Sequence, residues 1–271
     1  MGVLWGIPYL LIKVAVEELS PPVVVWARTL IGALVLLPLA LRRGYLQQVL
    51  PLWRVITVFA VIEIGLPWLL LNDAETHLSS SFAGLLIATT PIVATVVAVR
   101  TGDETFDARR GVGLAVGIVG VGVLLGLDLG GELRAGVELG GVIVLYGVGA
   151  TMIDRYFSDV PTLGVMSLAF SMTTVAYTAV VPSHWPSSVP SGRVLLSVLA
   201  LGLLCTVAAF LVFFALIAEV GASRATVITF VNPAVAVMLG IVLLGEPFTA
   251  GVAVGFPLVL LGCWLATRRA S

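Results

Sequence analysis

The chain of 271 residues contains very few charged residues. Asp, Glu, Lys and Arg make up 11% of it, hydrophobic residues make up 59%, and the mean hydropathy is +1.14. A soluble domain of this size carries about 25% charged residues. The scarcity of charge therefore excludes an ordinary soluble domain and indicates that lipid surrounds most of the chain, as it does in an integral membrane protein.

Several motifs of function are missing as well. The net charge of −1 argues against a nucleic-acid partner, which requires a basic stripe. The sequence contains no GxxxxGK[ST] nucleotide-binding loop, so we expect no bound nucleotide. It also lacks the catalytic motifs GxSxG and HExxH, so we expect no enzyme activity. Cys205 and Cys263 lie in apolar runs and are expected to pack there, while His77 and His184 are expected to be solvated. No metal and no cofactor are predicted.

The apolar residues are grouped into long runs with short polar breaks. Such runs predict transmembrane helices, because every backbone polar group in lipid must be bonded within its own segment. No cleavable signal peptide precedes the first run, which we predict to be a retained but clipped helix. The ten predicted helices of this bundle are residues 2–16, 22–41, 54–76, 79–99, 110–127, 137–154, 161–182, 194–218, 222–244 and 249–267.

The basic residues predict the orientation of the bundle. Cytoplasmic connections of membrane proteins carry an excess of Lys and Arg. With the N-terminus inside, the outer connections hold only Arg134 and Arg193. Both termini are therefore predicted to be cytoplasmic. The basic residues on the inner side are Arg42, Arg43, Arg54, Arg100, Arg109, Arg110, Arg155, Arg224, Arg268 and Arg269.

The sequence is an internal duplication. Residues 81–106, "SFAGLLIATTPIVATVVAVRTGDETF", align without a gap on residues 223–248, "SRATVITFVNPAVAVMLGIVLLGEPF", so that prolines, glutamates and phenylalanines coincide. We predict two five-helix repeats, residues 1–127 and 137–271. Because five is odd, the second repeat must enter the membrane from the opposite side. Inverted repeats of this kind recur in secondary transporters, whose substrate site lies near the midplane between the repeats.

The chain resembles the EamA-type transporters of the drug/metabolite transporter superfamily. The resemblance is carried by "LWGIPYLLIKVAV", "PPVVVWARTLIGALVLLPL" and above all "ALIAEVGASRATVITFVNPAVAVMLGIVLLGEPF". It implies a ten-helix carrier whose helices one to four and six to nine line a central cavity, and which exports small metabolites such as amino acids, or drugs. A clipped first helix and Glu63 depart from the family pattern, so the substrate class is not implied.

These observations predict a secondary transporter in the inner or plasma membrane, acting as a monomer or homodimer. It would work by alternating access, with lipid and a small-molecule substrate as partners. Whether transport is coupled to protons is left open. The alternative is a membrane receptor or scaffold that binds a small ligand without transporting it.

Glu63 is the most prominent candidate for a functional residue. It lies nine residues after Arg54 and hence about 13 Å along its helix, near the middle of the bilayer. A charge at that depth is costly and is a functional candidate by default. Arg28 is a plausible partner. The alternatives are a structural Glu63–Arg28 ion pair and a role for Glu63 in substrate binding or proton transfer.

Other candidates come from the two repeats. Trp5, Trp68 and Tyr146 are predicted either to line the cavity or to pack and anchor at the interfaces. Pro91 and Pro233 are predicted to bend their helices, either as gating hinges or as static kinks.

Two further pairs of charged residues correspond between the repeats. Glu104 and Glu246 are predicted to cap the helix that follows each of them, with ion coupling as the alternative. Lys13 and Asp154 are predicted to reach the membrane interface.

Overall fold

The computed structural model describes residues 1–101, 107–128, 133–220 and 231–267, which form ten helical segments joined by short connections. No strand occurs among these residues. The segments are α1 (Gly2–Ala15), α2 (Pro21–Arg42), α3 (Tyr45–His77), α4 (Ser80–Ile87 and Thr90–Thr101), α5 (Ala108–Asp128), α6 (Leu133–Tyr156), α7 (Thr162–Thr178), α8 (Gly192–Gly202, continued to Val220), α9 (Asn232–Leu244) and α10 (Ala250–Thr267).

The helix bounds follow the apolar runs closely, with one clear correction at α3. We predicted a polar break before residue 54, whereas the helix already begins at Tyr45. Pro51 does not interrupt it, because it lies in a single 3₁₀ turn, Leu50–Leu52, where its missing N–H is tolerated. Val49 is fully buried, and the backbone of Tyr45 packs closely on Gly164 of α7, which holds this first turn in place.

Two helices contain a π-helical turn. In α3 it spans Ala60–Gly65, and in α8 it spans Leu203–Ala208. Each turn lies in the third helix of its predicted repeat, and each is 6 residues long. A π turn inserts an extra residue into the helical ladder, and such turns occur frequently at functional sites. We refer to them as the first and second π turns.

The helix contacts are symmetric under exchange of the two halves of the chain. The contact between α1 and α9 has its counterpart in α6 against α4, and α1 against α8 has its counterpart in α6 against α3. The contact of α2 with α8 has its counterpart in α7 against α3, and three further contacts, α2–α7, α4–α9 and α5–α10, each join a helix to its own counterpart. Single residues repeat the pattern, since Gly6 packs on Val235 and Gly147 packs on Val93.

Glycines bring α5 and α10 into backbone contact. Gly113 packs on Ala266, Gly117 on Gly262 and Gly120 on Val259. Because residue numbers rise along α5 as they fall along α10, the two helices run antiparallel. A methyl group built on Gly120 would approach the Val259 nitrogen to 2.8 Å, so this interface depends on small residues.

The outside of the bundle is apolar. Five helices of the described chain are long and apolar enough to cross a bilayer: Pro21–Arg42, Tyr45–His77, Ser80–Val97, Leu133–Ile153 and Gly192–Phe213. Shorter apolar helices accompany them. Large apolar side chains on the outer faces are exposed, among them Leu34, Ile118, Val175 and Val242 at 64% or more. Lipid is the solvent that matches such a surface.

Polar contacts between the two halves of the chain cluster at one end of the bundle, which we call the sealed end. The Ser20 hydroxyl donates to the His184 carbonyl, Glu17 pairs with Arg193, and Asp73 pairs with Arg134. Nearby, the backbone N–H of Ser191 donates to Glu18 and, with the Ser191 side chain, lowers the pKa of that carboxyl. The contacts of Glu17, Glu18 and Ser20 join the α1–α2 connection to the α7–α8 connection and the start of α8, whereas Asp73–Arg134 joins the end of α3 to the start of α6.

Candidate functional site

Arg28 lies at the centre of the polar groups inside the bundle. Its residue is only 7% exposed. Nε donates to the Thr206 hydroxyl of α8 at 2.9 Å, and the guanidinium lies 3.6 Å from the centre of the Trp68 ring of α3. Arg28 therefore joins three helices and both halves of the chain.

The sequence-based pairing of Arg28 with Glu63 is wrong. No ion pair joins the two in the described chain, and the groups that interact electrostatically with Arg28 are Cys205, Tyr146, Tyr9 and Glu75. The Arg28 guanidinium contacts the Thr206 hydroxyl and the Trp68 ring instead of the Glu63 carboxylate that was predicted as its partner. A neutral hydroxyl and a ring face stabilise the guanidinium without cancelling its charge.

Aromatic rings form a continuous row that ends at Arg28. Ring centres are 5.7 Å apart between Trp5 and Phe210, 5.7 Å between Phe210 and Phe170, and 5.8 Å between Phe170 and Trp68. Tyr146 also approaches Trp68. The structure thus brings together Trp5, Arg28, Trp68 and Tyr146, and it does not test whether they line a substrate cavity.

Glu63 lies on the first π turn, where it interacts electrostatically with Tyr146 of this group. Its Oε2 is enclosed and has no hydrogen-bond partner among the described residues. The enclosure is provided by Gly149 of α6, since a methyl group at that position would overlap the Glu63 carboxylate. A carboxyl oxygen buried without a hydrogen bond is costly, so its presence indicates a role other than fold stability.

Thr206 occupies the same place in the second π turn as Glu63 does in the first, because each is the fourth residue of its turn. The Thr206 hydroxyl also donates to the Leu201 carbonyl at 2.9 Å. In the first π turn, the Gly65 carbonyl accepts from the Tyr177 hydroxyl at 2.8 Å. Each irregular turn is therefore held by a hydroxyl group.

Glu75 and Lys13 form a second polar group near the sealed end. The Lys13 ammonium donates to the carbonyls of Glu75 and Leu78 at 2.6 and 2.7 Å and so caps the C-terminus of α3, while its reach to the membrane interface stays a prediction. The Glu75 side chain is completely buried, and neither of its carboxyl oxygens has a hydrogen-bond partner in the described part of the chain. Asp154, the predicted counterpart of Lys13, has a side chain outside the described part of the structure.

Glu246 is a helix cap, but for a different helix from the one predicted. Its carboxylate accepts from the backbone N–H groups of Ser80 and Ser81 at 2.7 and 3.0 Å, and from the Ser81 hydroxyl. It therefore caps α4 in the other half of the chain and not α10, which follows it. Gly240 leaves room for this contact, since a methyl group there would strike the Glu246 carboxylate. Glu104 lies outside the described residues.

The two prolines lie at helix starts. A turn at Ala88 and Thr89 divides α4, and Pro91 begins the second part. The hydroxyls of Thr89 and Thr90 donate to the carbonyls of Leu86 and Ile87, which satisfies the groups that the break exposes. Pro233 lies in the first turn of α9, and residues 221–230 before it are outside the described chain. The structure supports a bend at Pro91 and does not test gating.

Sequence reasoning missed Glu75, Thr206, Phe170 and Phe210. Glu75 is close to the end of its apolar run, where a carboxylate looks like a surface residue, and Thr206 is hidden in the run "LGLLCTVAAF". No group of His, Cys, Asp and Glu that could hold a metal occurs in the described ranges. The remaining polar and aromatic groups are suited to binding a small molecule.

The chain is similar to known transporters along its whole length. A model of the EamA-like transporter family matches residues 1–126 and 139–268. The uncharacterized transporter YvbV of Bacillus subtilis (strain 168) is 24% identical over 275 residues, covering 99% of this chain and 90% of that protein. The uncharacterized inner membrane transporter YedA of Escherichia coli (strain K12) is 27% identical over 252 residues, covering 90% and 80%. A solved crystal structure shares the fold with a TM-score of 0.64 and 19% identity, covering 98% of this chain and 96% of that one.

Proposed function

This chain belongs to the EamA-like transporter family, and on that premise we propose that it is a secondary carrier that exports small metabolites by alternating access. The observation that carries this proposal is the Arg28–Thr206 contact, which lies inside the bundle and joins the two halves of the chain. A site at the boundary between two repeats becomes accessible to either side when one repeat moves against the other.

The arrangement of the helices supports two inverted five-helix repeats, residues 1–127 and 137–271. In such repeats, corresponding helices cross the membrane in opposite directions. The antiparallel contact of α5 with α10 has this property. The contact of α4 with α9 has it too, because Ser81 lies against Gly240 and Gly84 against Ala236. Together with the symmetric contacts, this favours ten membrane-spanning helices in an inner or plasma membrane.

The excess of arginine at the opposite end of the bundle supports an outward-facing position for the sealed end, with both termini cytoplasmic. In this orientation the protein described here is closed to the outside. The row of aromatic rings from Trp5 to Trp68 then leads from the cytoplasmic half to Arg28, which is the direction from which an exported metabolite arrives.

Glu63 is our candidate for proton coupling. Among the residues that the structure describes, its enclosed carboxyl oxygen has neither an ion-pair partner nor a hydrogen bond. A group of this kind can take up a proton without breaking another interaction, which is what exchange of a substrate for a proton requires.

The export proposal is tested by comparing metabolites outside cells that lack the protein with those outside cells that overproduce it. We expect at least one small metabolite to accumulate outside the overproducing cells and to be depleted outside the deletion cells. Cells that overproduce the Arg28→Gln variant at the same membrane level should resemble the deletion cells. Identical external metabolites in all three strains would contradict export, and binding without flux in liposomes would favour a receptor.

A further inference from the structure

We infer that Arg28 binds the carboxylate of the cargo, and that this cargo is a small organic monocarboxylate with an apolar or aromatic body. The inference deepens the proposed function and rests on it. It is drawn from the charge, the hydrogen bonds and the surroundings of the guanidinium.

The charge of Arg28 is not neutralised by the described residues. Within the bundle, a buried cation is normally paired with an acid or faces a substrate pathway. Arg28 forms no ion pair with any described residue, and its contacts are with the Thr206 hydroxyl and the Trp68 ring. An anion that binds here would supply the missing negative charge.

The contacts of Arg28 leave one edge of the guanidinium available. Nε is used by Thr206 and one face is covered by Trp68. The two terminal nitrogens make no hydrogen bond in the described chain, and they are not among its enclosed polar atoms. Paired terminal N–H groups match the two oxygens of a carboxylate, which they bind with parallel hydrogen bonds.

The other charged groups favour a single negative charge on the cargo. Glu75 interacts electrostatically with Arg28 and disfavours a second negative charge nearby. The Lys13 ammonium is held by two backbone carbonyls and interacts electrostatically with Glu75, so it offsets that acid. Arg28 is then the cation available to the cargo, and a monocarboxylate balances it, whereas a dianionic phosphate would bring one negative charge too many.

The body of the cargo is expected to lie along the aromatic rings. Trp5 and Phe210 are only half-buried, and their rings continue the row that ends at Trp68 beside Arg28. Rings favour apolar and aromatic groups, which stack on them or pack against their edges. The site therefore combines a single cation with an apolar wall.

The test measures binding to the purified full-length protein in lipid nanodiscs by the shift in its melting temperature. The probes are acid–amide pairs of equal shape: phenylacetate with phenylacetamide, indole-3-acetate with indole-3-acetamide, and hexanoate with hexanamide. Benzylphosphonate and sulfate represent a dianion and an inorganic anion. We expect at least one acid to bind tenfold or more tightly than its amide, and more tightly than benzylphosphonate or sulfate.

The variants connect this selectivity with Arg28. Arg28→Gln should remove the preference for the acid, and Arg28→Lys should weaken it, since an ammonium lacks the paired N–H groups. Thr206→Val should weaken acid binding several-fold, whereas Thr206→Ser should restore it. Thr29→Val is the matched control, because the Thr29 hydroxyl is buried next to Arg28 but bonds only to its own helix.

Equal binding of acids and amides, tighter binding of sulfate, no binding of any acid, or an unchanged preference in Arg28→Gln would each overturn the inference. Its failure is distinct from that of the proposed function. A protein that exports neutral metabolites remains a carrier without an acid site, and one that binds acids without exporting them retains the site but is not a carrier.

Discussion

The two π turns share the same type of backbone turn but carry side chains of different chemistry. Ala60–Gly65 and Leu203–Ala208 are equally long and lie in corresponding helices. At the same place in each turn, the first carries Glu63, which has an enclosed oxygen without a partner, and the second carries Thr206, which holds Arg28. Both halves contain the same irregular backbone turn, but the side chains at the matching position differ. The first half has a carboxyl group that is not paired with a cation among the described residues, and the second half has a hydroxyl group next to the Arg28 guanidinium.

This difference suggests a division of labour between the halves. In our proposals, the second π turn positions the guanidinium that binds the cargo, and the first provides the acid for proton exchange. Because the acid and the cation are not paired with each other, each can change its partner during transport. Substitutions at the two π turns should therefore change substrate binding or proton coupling. Substitutions in the helix contacts that are the same in both halves should change the stability of the fold.

The largest effect is expected from Thr206→Glu, which gives the second π turn the acid of the first. A carboxylate at this position would lie beside Arg28 and form a buried ion pair with it, which cancels the charge of the guanidinium. We expect the folded variant to bind the acids at least a hundredfold more weakly in the nanodisc assay. Retained acid binding in a folded Thr206→Glu protein would show that the charge of Arg28 is not what the cargo recognises.

The next effect is expected from Glu63→Gln, which removes the acid from the first π turn and keeps its shape. Uptake driven by a pH gradient in proteoliposomes should fall at least tenfold, while exchange at equal pH on both sides should persist. Glu17→Gln serves as the control, because Glu17 is exposed at the sealed end and pairs only loosely with Arg193. A Glu63→Gln protein with unchanged pH-driven uptake would remove Glu63 from proton coupling.

A stability effect is expected where the halves are alike, in the contact of α5 with α10. Gly120→Ala places a methyl group against the Val259 backbone, and overpacking of this kind costs about 1–3 kcal/mol. Gly122 has no neighbour within 4 Å, so Gly122→Ala should be neutral or stabilise the helix by up to about 1 kcal/mol. Unfolding of both variants in denaturant measures the difference, and equal stabilities would contradict the close contact.

The smallest effect is expected at the sealed end. Glu246→Gln weakens the cap of α4, and the loss of a cap costs about 0.5–2 kcal/mol. Here the cap joins the two halves, so its loss should also favour opening of the sealed end. We expect a thiol reagent added from outside to modify a cysteine introduced at Ser80, whose hydroxyl is buried without a partner among the described residues, faster in this variant than in the otherwise unchanged protein. Equal rates would mean that Glu246 does not help to close this end.

Most of the fold was predictable from the sequence because lipid imposes strict rules on it. The apolar runs predicted the approximate bounds of the helices, and the duplicated segment with Pro91 and Pro233 indicated related halves. The first turn of α3 was missed, since "YLQQVLPLW" is too polar and proline-containing to read as helix. The π turns have no sequence signature, because they arise from packing between helices and not from local preference.

The site was predictable only in part. Arg28, Glu63, Trp5, Trp68 and Tyr146 were identified as charged or aromatic residues within apolar runs. Their partners were not, because a helix position alone does not tell which neighbour a long side chain reaches. The Glu63–Arg28 pair and the target of the Glu246 cap were therefore predicted incorrectly, and both errors concern contacts between segments distant in sequence.

The most direct test of the central claim, that one chain carries an acid across the membrane through a site at the boundary of its halves, is counterflow in proteoliposomes. The labelled compound is the acid that binds best in nanodiscs, and the vesicles are loaded with the same acid unlabelled at equal pH. We predict transient accumulation of label by the wild-type protein and by Glu63→Gln, and none by Arg28→Gln. Binding of the acid by the wild-type protein without any counterflow would contradict the account.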